Sequence, residues 1–290
     1  MGVSFLGLGH MGEPMARNLL ATVPDLVVWN RSKPASERLR DLGASLAPTA
    51  REALRGSATA LLMLANETAI DEVLERASPA FTANVHGRLI VHMGTTSPRF
   101  SKDLSAAIAA AGGRYAEAPV SGSRVPAETG ALVGMVAGSP GDVAAIRDLI
   151  RPLCRTTFAC GAVPGALTLK LAVNLFLITM VTGLMEAAQF ASGAGLDIEL
   201  FRAVIDAGPM ASDVSRVKLE KLVTGDFAAQ ASLADVFMNS RLVADAARAA
   251  DVATPLLDQA DALYETAAGM GFGHLDMIGV IRALEAKSRT

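Results

Sequence analysis

Cysteine is nearly absent from this 290-residue chain: Cys154 and Cys160 stand alone, without CxxC or zinc-ligand spacing. That excludes a disulfide-stapled scaffold and a cysteine-held metal. Histidine is as sparse, and His10, His86, His92 and His274 lack metal-ligand spacing, so no metal is expected. There is no excess of one charge: the formal net charge is -3 and no run of like sign occurs, which gives neither nucleic acid nor an anionic membrane a field to bind. Aromatics make up only 4%, while Ala, Leu, Val and Gly dominate, the usage of packed helices and parallel strands. One long apolar run exists, Leu167 to Ala191, but it carries Lys170, Asn174, Glu186 and Gln189, so it is read as a helix buried between protein surfaces and no membrane partner is expected. With an apolar strand opening the chain and no signal peptide, a reducing, cytoplasmic setting is expected.

What is present alternates. Val3 to Leu8 is an apolar run closed by Gly7 and Gly9, and helical spacing follows over Gly12 to Leu20. Leu26 to Trp29 ends at Asn30-Arg31-Ser32, before a helical stretch Ala35 to Leu42 stopped by Gly43. Further apolar runs at Ala60 to Leu64, Leu89 to Met93 and Leu132 to Ala137, flanked by helical or turn-rich segments, predict a mostly parallel sheet covered on both faces. After Gly161-Ala-Val-Pro-Gly165 no strand is expected. The chain is therefore read as α/β: a doubly wound Rossmann domain over 1–162, then an all-helical domain over 163–290 that begins with a long interdomain helix near Ala166 to Ser192 and serves substrate binding and dimerisation.

Gly7-Leu8-Gly9-His10-Met11-Gly12 is a GxGxxG between a strand and a helix. Its first glycine permits the tight turn, the second lets backbone approach a pyrophosphate, and the third lets helix and strand pack. A plain βα turn is the bland alternative. The end of the second strand is where such a domain reads the adenosine ribose. An acid there would repel a 2′-phosphate, whereas Asn30 followed by Arg31 and Ser32 offers donors, favouring NADP(H) over NAD(H); an ordinary solvated arginine is the alternative. Lys170 and Asn174 are four apart and share a helix face. Either Lys170 snorkels to solvent or its ammonium enters a cleft with the nicotinamide.

These residues resemble the β-hydroxyacid dehydrogenases, the 3-hydroxyisobutyrate dehydrogenase-like enzymes built on a 6-phosphogluconate dehydrogenase-like fold. Phe5 through Leu19 looks like that family's cofactor signature, Glu117-Ala-Pro-Val-Ser-Gly-Ser123 its substrate motif, and Gly161 through Lys170 to Asn174 its catalytic helix. The resemblance implies that Ser121, Gly122 and Ser123 bind the substrate's carboxylate and hydroxyl, that Lys170 is the general acid or base, and that Asn174 holds the same oxygen. It also implies that Thr95 lies against the nicotinamide ribose and that Leu64 and Ala65 line the cofactor cleft. The Asn-Arg-Ser turn looks most like the NADPH-dependent glyoxylate and succinic semialdehyde reductase branch, and a homodimer or homotetramer is implied.

Three positions depart from the pattern. Met238-Asn239 stands where the family carries Lys-Asp reaching toward cofactor and substrate, Glu117 stands for the commoner Asp, and Gly94 for the commoner Ser. Imine reductases share the architecture, and the loss of a positive charge at Met238 keeps that reading open, as it does another carbonyl substrate; Lys170 argues against it. A non-catalytic dinucleotide sensor or scaffold is the reading from a different class.

Overall fold

A computed structural model describes residues 2–288. Among these, the strands are β1 (Val3–Leu6), β2 (Val27–Trp29), β3 (Ser45–Leu46), β4 (Thr59–Leu62), β5 (Leu89–His92), β6 (Arg114–Glu117), β7 (Val120–Ser121), β8 (Leu132–Val136) and β9 (Cys154–Ala159). The first six form one sheet in the order β3-β2-β1-β4-β5-β6, with every pairing parallel. This is the expected doubly wound arrangement, and chain order reverses between β1 and β4.

The run at Leu132 to Ala137 does not join that sheet: β8 lies in a separate three-stranded sheet, antiparallel to β7 and parallel to β9. Strands β3, β6, β7 and β9 escape the apolar-run criterion. β9 reads Cys-Arg-Thr-Thr-Phe-Ala and is mostly exposed, and both β3 residues face solvent, so neither carries the continuous apolar signal of a doubly covered strand.

The main sheet shows why its strands are apolar throughout. Phe5, Val28, Leu61, Val91 and Ala116 belong to one buried cluster, while Leu6, Ala60, Leu62, Ile90 and Tyr115 belong to another. Alternate residues of each strand thus enter opposite cores. Helices begin where the sequence supplies a cap: the Ser97 hydroxyl accepts the Phe100 N–H at 3.1 Å and the Ser139 hydroxyl accepts that of Asp142 at 3.3 Å. In each case proline follows in the first turn, where its missing N–H costs nothing.

The chain divides into two compact units after Lys170. Among the described residues the second unit contains helices and a single isolated bridge, Ser232 to Asp276, and no strand. A long helix, Gly165–Gly193, carries the chain from one unit into the other. Its residues Leu171, Ile178, Val181 and Met185 recur at near-heptad spacing and pack with Leu219, Val236, Leu257, Tyr264 and Ile281 into the second unit's core. In the same unit Lys218 Nζ donates to both oxygens of the fully buried Asp276, at 2.7 and 2.9 Å, and Asp276 also accepts the Gln230 N–H at 2.9 Å. The ion pair ties the helix Asp213–Thr224 to the turn at Asp276, and the Gln230 bond ties the loop after Asp226 to the same carboxylate.

Candidate functional site

The turn after β1 admits only glycine at two positions. Gly7 has φ +97°, and a Cβ there would fall 2.2 Å from the Met63 carbonyl oxygen; one on Gly12 would fall 1.9 Å from that of Gly7. Gly9 is different, since nothing lies within 4 Å of its Cβ position. The N–H groups of Gly9, His10 and Met11 find no acceptor among the described residues. They sit at the N-terminus of the helix Gly12–Leu20, where aligned peptide dipoles leave positive charge. Free donors, an unfilled approach and a helix terminus are what a pyrophosphate requires, so the residues present fit a dinucleotide.

Asn30 does more than end a strand. Its Oδ1 accepts the Leu8 N–H at 2.9 Å, and its Nδ2 donates to the Ser32 carbonyl at 3.0 Å and hydroxyl at 2.9 Å. One amide therefore locks the glycine turn to the turn after β2. Arg31 is exposed and makes no hydrogen bond or ion pair among the described residues. Glu13, the acid nearest the turn in sequence, is held by Arg38 through two bonds of 2.6 and 2.7 Å.

The turns after β1, β4 and β5 meet at Leu64. The Gly7 Cβ position lies 2.9 Å from Leu64 Cδ2, and that of Gly94 lies 2.7 Å from the Leu64 carbonyl oxygen. Ala65 beyond it is exposed and Thr95 partly so. Glycine at 94 is thus a steric necessity here. Gly94→Ser is expected to lower unfolding stability by about 2 kcal/mol, as overpacking against backbone does, and to weaken dinucleotide binding by displacing Leu64; unchanged thermal unfolding would contradict the contact.

Ser121 and Ser123 are partly exposed around Gly122, and neither hydroxyl has a protein partner among the described residues. Gly122 has φ +132°, and its Cβ position lies 2.7 Å from Leu132 Cδ2, so only glycine makes this turn. Lys170 is buried at 9% exposure without an anionic partner among the described residues, and burial pushes its ammonium down to about 8. Asn174, also buried, stands one turn further along the same helix; its Nδ2 donates to Asn239 Oδ1 at 3.0 Å, and its own Oδ1 has no donor among the described residues. Asn239 in turn donates to the Asp235 carbonyl at 2.7 Å. Met238 is 37% exposed on that helix.

A buried polar chain adjoins these turns. His92 Nδ1 lies 3.1 Å from the Tyr115 hydroxyl, which lies 2.8 Å from the Ser101 hydroxyl, which donates to Glu117. His92 Nε2 has no partner and lies 3.2 Å from the Gly94 Cβ position. Burial pushes His92 down to about 4 from 6.5 and raises Glu117. Between pH 6.5 and 4 the unfolded chain binds a proton that the folded His92 refuses, so its contribution to stability is lost as pH falls through that window. Raised Glu117 acts oppositely, its contribution being lost as pH rises. Thermal melts of the chain and of His92→Asn should therefore diverge progressively from pH 4 to 6.5, the parent gaining relative stability with pH; parallel curves would mean that His92 titrates normally.

Sequence reasoning did not assign Glu117 or Asn239 a place in the site. Each carried a signal, Glu117 within the substrate-like motif and Asn239 beside the departure at 238, but the partners are distant in sequence.

Residues 2–161 match the family described as the NAD binding domain of 6-phosphogluconate dehydrogenase, and residues 165–284 that described as the NAD-binding of NADP-dependent 3-hydroxyisobutyrate dehydrogenase. Glyoxylate/succinic semialdehyde reductase 2, chloroplastic, of Arabidopsis thaliana is 30% identical over 100% of this chain and 81% of its own. The crystal structure of a 3-hydroxyisobutyrate dehydrogenase from Salmonella typhimurium superposes with a TM-score of 0.88 at 24% identity, covering 97% of this chain and 99% of its own. Psf3 in complex with NADP+ and 2-OPP gives a TM-score of 0.87 at 27% identity, again over 97% and 99%.

Proposed function

The chain belongs to the β-hydroxyacid dehydrogenase family of nicotinamide-dependent oxidoreductases, and we propose that it uses NADP(H) to interconvert a small hydroxy acid with its aldehyde or keto acid, as glyoxylate and succinic semialdehyde reductases do. The observation that carries this reading is Lys170, a buried lysine with no counter-ion among the described residues, held by burial near the pH at which it must both give and take a proton. Such a group costs stability and is characteristic of functional sites.

The proposed cofactor residues are Gly7 to Gly12, Asn30, Arg31, Ser32, Leu64, Ala65, Thr95 and Met238. When bound, the nicotinamide supplies or removes the hydride. In reduction the Lys170 ammonium donates a hydrogen bond to the carbonyl oxygen and then its proton to the developing alkoxide. In oxidation the neutral amine accepts the hydroxyl proton. Asn174, fixed by Asn239, orients the same oxygen, and Ser121, Gly122 and Ser123 receive the substrate carboxylate through hydroxyl and backbone donors. Preference for NADP(H) is supported by Arg31, and by the absence of an acid at the end of β2.

A homodimer, or a tetramer of dimers, is supported by the long helix. Leu169, Val173, Phe176, Met180, Gly183, Ala187 and Phe190 repeat at alternating spacings of four and three, with Met180 also touching the core and Phe176 67% and Phe190 74% exposed. A small-and-apolar heptad seam of this kind suits a second copy. Phe176→Glu with Phe190→Glu is expected to give a folded monomer by light scattering; an unchanged mass for both proteins would remove the seam from the assembly.

The test is oxidation of NADPH, with NADH as control, offered glyoxylate, succinic semialdehyde, a branched semialdehyde and a cyclic imine in parallel. Turnover of an aldehyde acid with NADPH is expected; turnover of the imine alone would overturn the assignment.

A further inference from the structure

The long helix that carries Lys170 does not cap itself. Its opening sequence Gly-Ala-Leu-Thr offers no acidic side chain in the first turn, and the first N–H groups of a helix have no partner within it. The acceptor comes from β6. Glu117 is fully buried, and its Oε2 accepts the N–H groups of Ala166 at 3.0 Å and Leu167 at 3.1 Å while its Oε1 accepts the Ser101 hydroxyl. All three polar contacts are donors, so the ionised carboxylate is the form that satisfies them.

We propose that Glu117 is a positioning residue for the reaction, capping the helix turn that precedes Lys170 and so setting the place of its ammonium and favouring its charge. This rests on the assignment of Lys170 as the acid or base. The geometry acts in two ways. Lys170 lies three residues beyond Leu167, so the turn that Glu117 grips is the one whose carbonyls anchor the Lys170 backbone. A carboxylate at a helix N-terminus also offsets the positive end of the dipole, whose remaining field one turn further on disfavours the Lys170 ammonium.

The groups facing Glu117 are the Ser101 hydroxyl from the helix Pro98–Ala110, the Tyr115 hydroxyl on its own strand, the Cys160 thiol beyond β9, and the two helix N–H groups. His92 is reached only through Tyr115 and Ser101. Glu117 is the acidic member of this set. Its removal therefore leaves the dipole uncompensated.

Three variants separate charge, length and anchoring. Glu117→Gln keeps the shape and loses the charge, Glu117→Asp keeps the charge, and Ser101→Ala keeps the carboxylate but frees its other oxygen. The first readout needs no substrate: in protein carrying isotope-labelled lysine, the Lys170 Nζ resonance, identified by its absence from Lys170→Ala, is titrated by NMR. Glu117→Gln is expected to move that titration toward lower pH by about 0.5 unit, the size of a helix-terminus charge effect, whereas Glu117→Asp retains the parent midpoint. The second readout is glyoxylate reduction with NADPH, where Glu117→Gln should lower kcat about tenfold and shift the alkaline limb equally, with NADPH affinity unchanged. Ser101→Ala, the variant least able to disturb folding, should lower kcat several-fold without moving the limb.

Identical Lys170 titrations in parent and Glu117→Gln would overturn the proposal even if glyoxylate is turned over. A shifted titration with no turnover of any aldehyde acid would leave Glu117 in place and overturn the substrate assignment instead. If Glu117→Gln fails to fold, Ser101→Ala decides: full kcat in that variant contradicts the positioning role.

Discussion

Lys170→Ala is expected to lower turnover of an aldehyde acid by about 100- to 10,000-fold, the range for a lost general acid, while NADPH still binds. The loss should lie in kcat more than in KM, because the ammonium acts on charge that develops at the oxygen rather than on the ground-state substrate. The parent's pH dependence should carry the same signature. With Lys170 at about 8, reduction falls as pH rises through 8, where the ammonium is lost, and oxidation rises through it.

Stability should move the other way. A lysine lowered on folding costs stability wherever the unfolded chain still holds the proton, and that cost shrinks as pH rises from about 8 toward the unfolded value. Removing Lys170 relieves it at neutral pH, so the variant is expected to melt at or above the parent's Tm. A variant that is both inactive and strongly destabilised would point to a packing role. One that keeps full activity would remove Lys170 from the chemistry.

Arg31→Ala is expected to reduce the preference for NADPH over NADH by about 100-fold, as loss of a charge-assisted, two-pronged contact to a phosphate would. The effect should appear in KM for NADPH and leave kcat with saturating NADPH nearly unchanged, since the 2′-phosphate is remote from the reacting carbon. KM for NADH should barely change. Asn30 is a poorer choice for this test, because its amide braces Leu8 and Ser32 and its removal would loosen the glycine turn for either cofactor. If Arg31→Ala kept its kinetics with both cofactors, Arg31 would be a solvated surface residue.

The parts of the molecule legible in the sequence are those whose signals are local. β1, β4 and β5 are apolar at nearly every position because both sheet faces are covered, and Gly7 and Gly12 mark a turn that no side chain fits. β9 was illegible because exposed strands need no apolar pattern, and the separate sheet formed by β7, β8 and β9 depends on pairings that a single run does not encode. The long helix is apolar all round, so its period does not say which face is core. Its buried and exposed faces separate only when the helices packed against it are in place. Glu117 and Ala166 are 49 residues apart, and Asn174 and Asn239 are 65 apart; no spacing rule connects such pairs. Lys170 was legible because a charge within so apolar a run needs a reason.

The proposed reaction is hydride transfer between a nicotinamide and the carbonyl carbon of a small aldehyde acid, with NADPH preferred. Its most direct measurement uses NADPH carrying deuterium at the transferable position, with glyoxylate and then succinic semialdehyde as acceptors, and reads the mass of the hydroxy acid formed. A product one deuterium heavier is expected, formed faster than from equally labelled NADH. Unlabelled product, or none from either acid while another carbonyl or an imine takes the label, would contradict it.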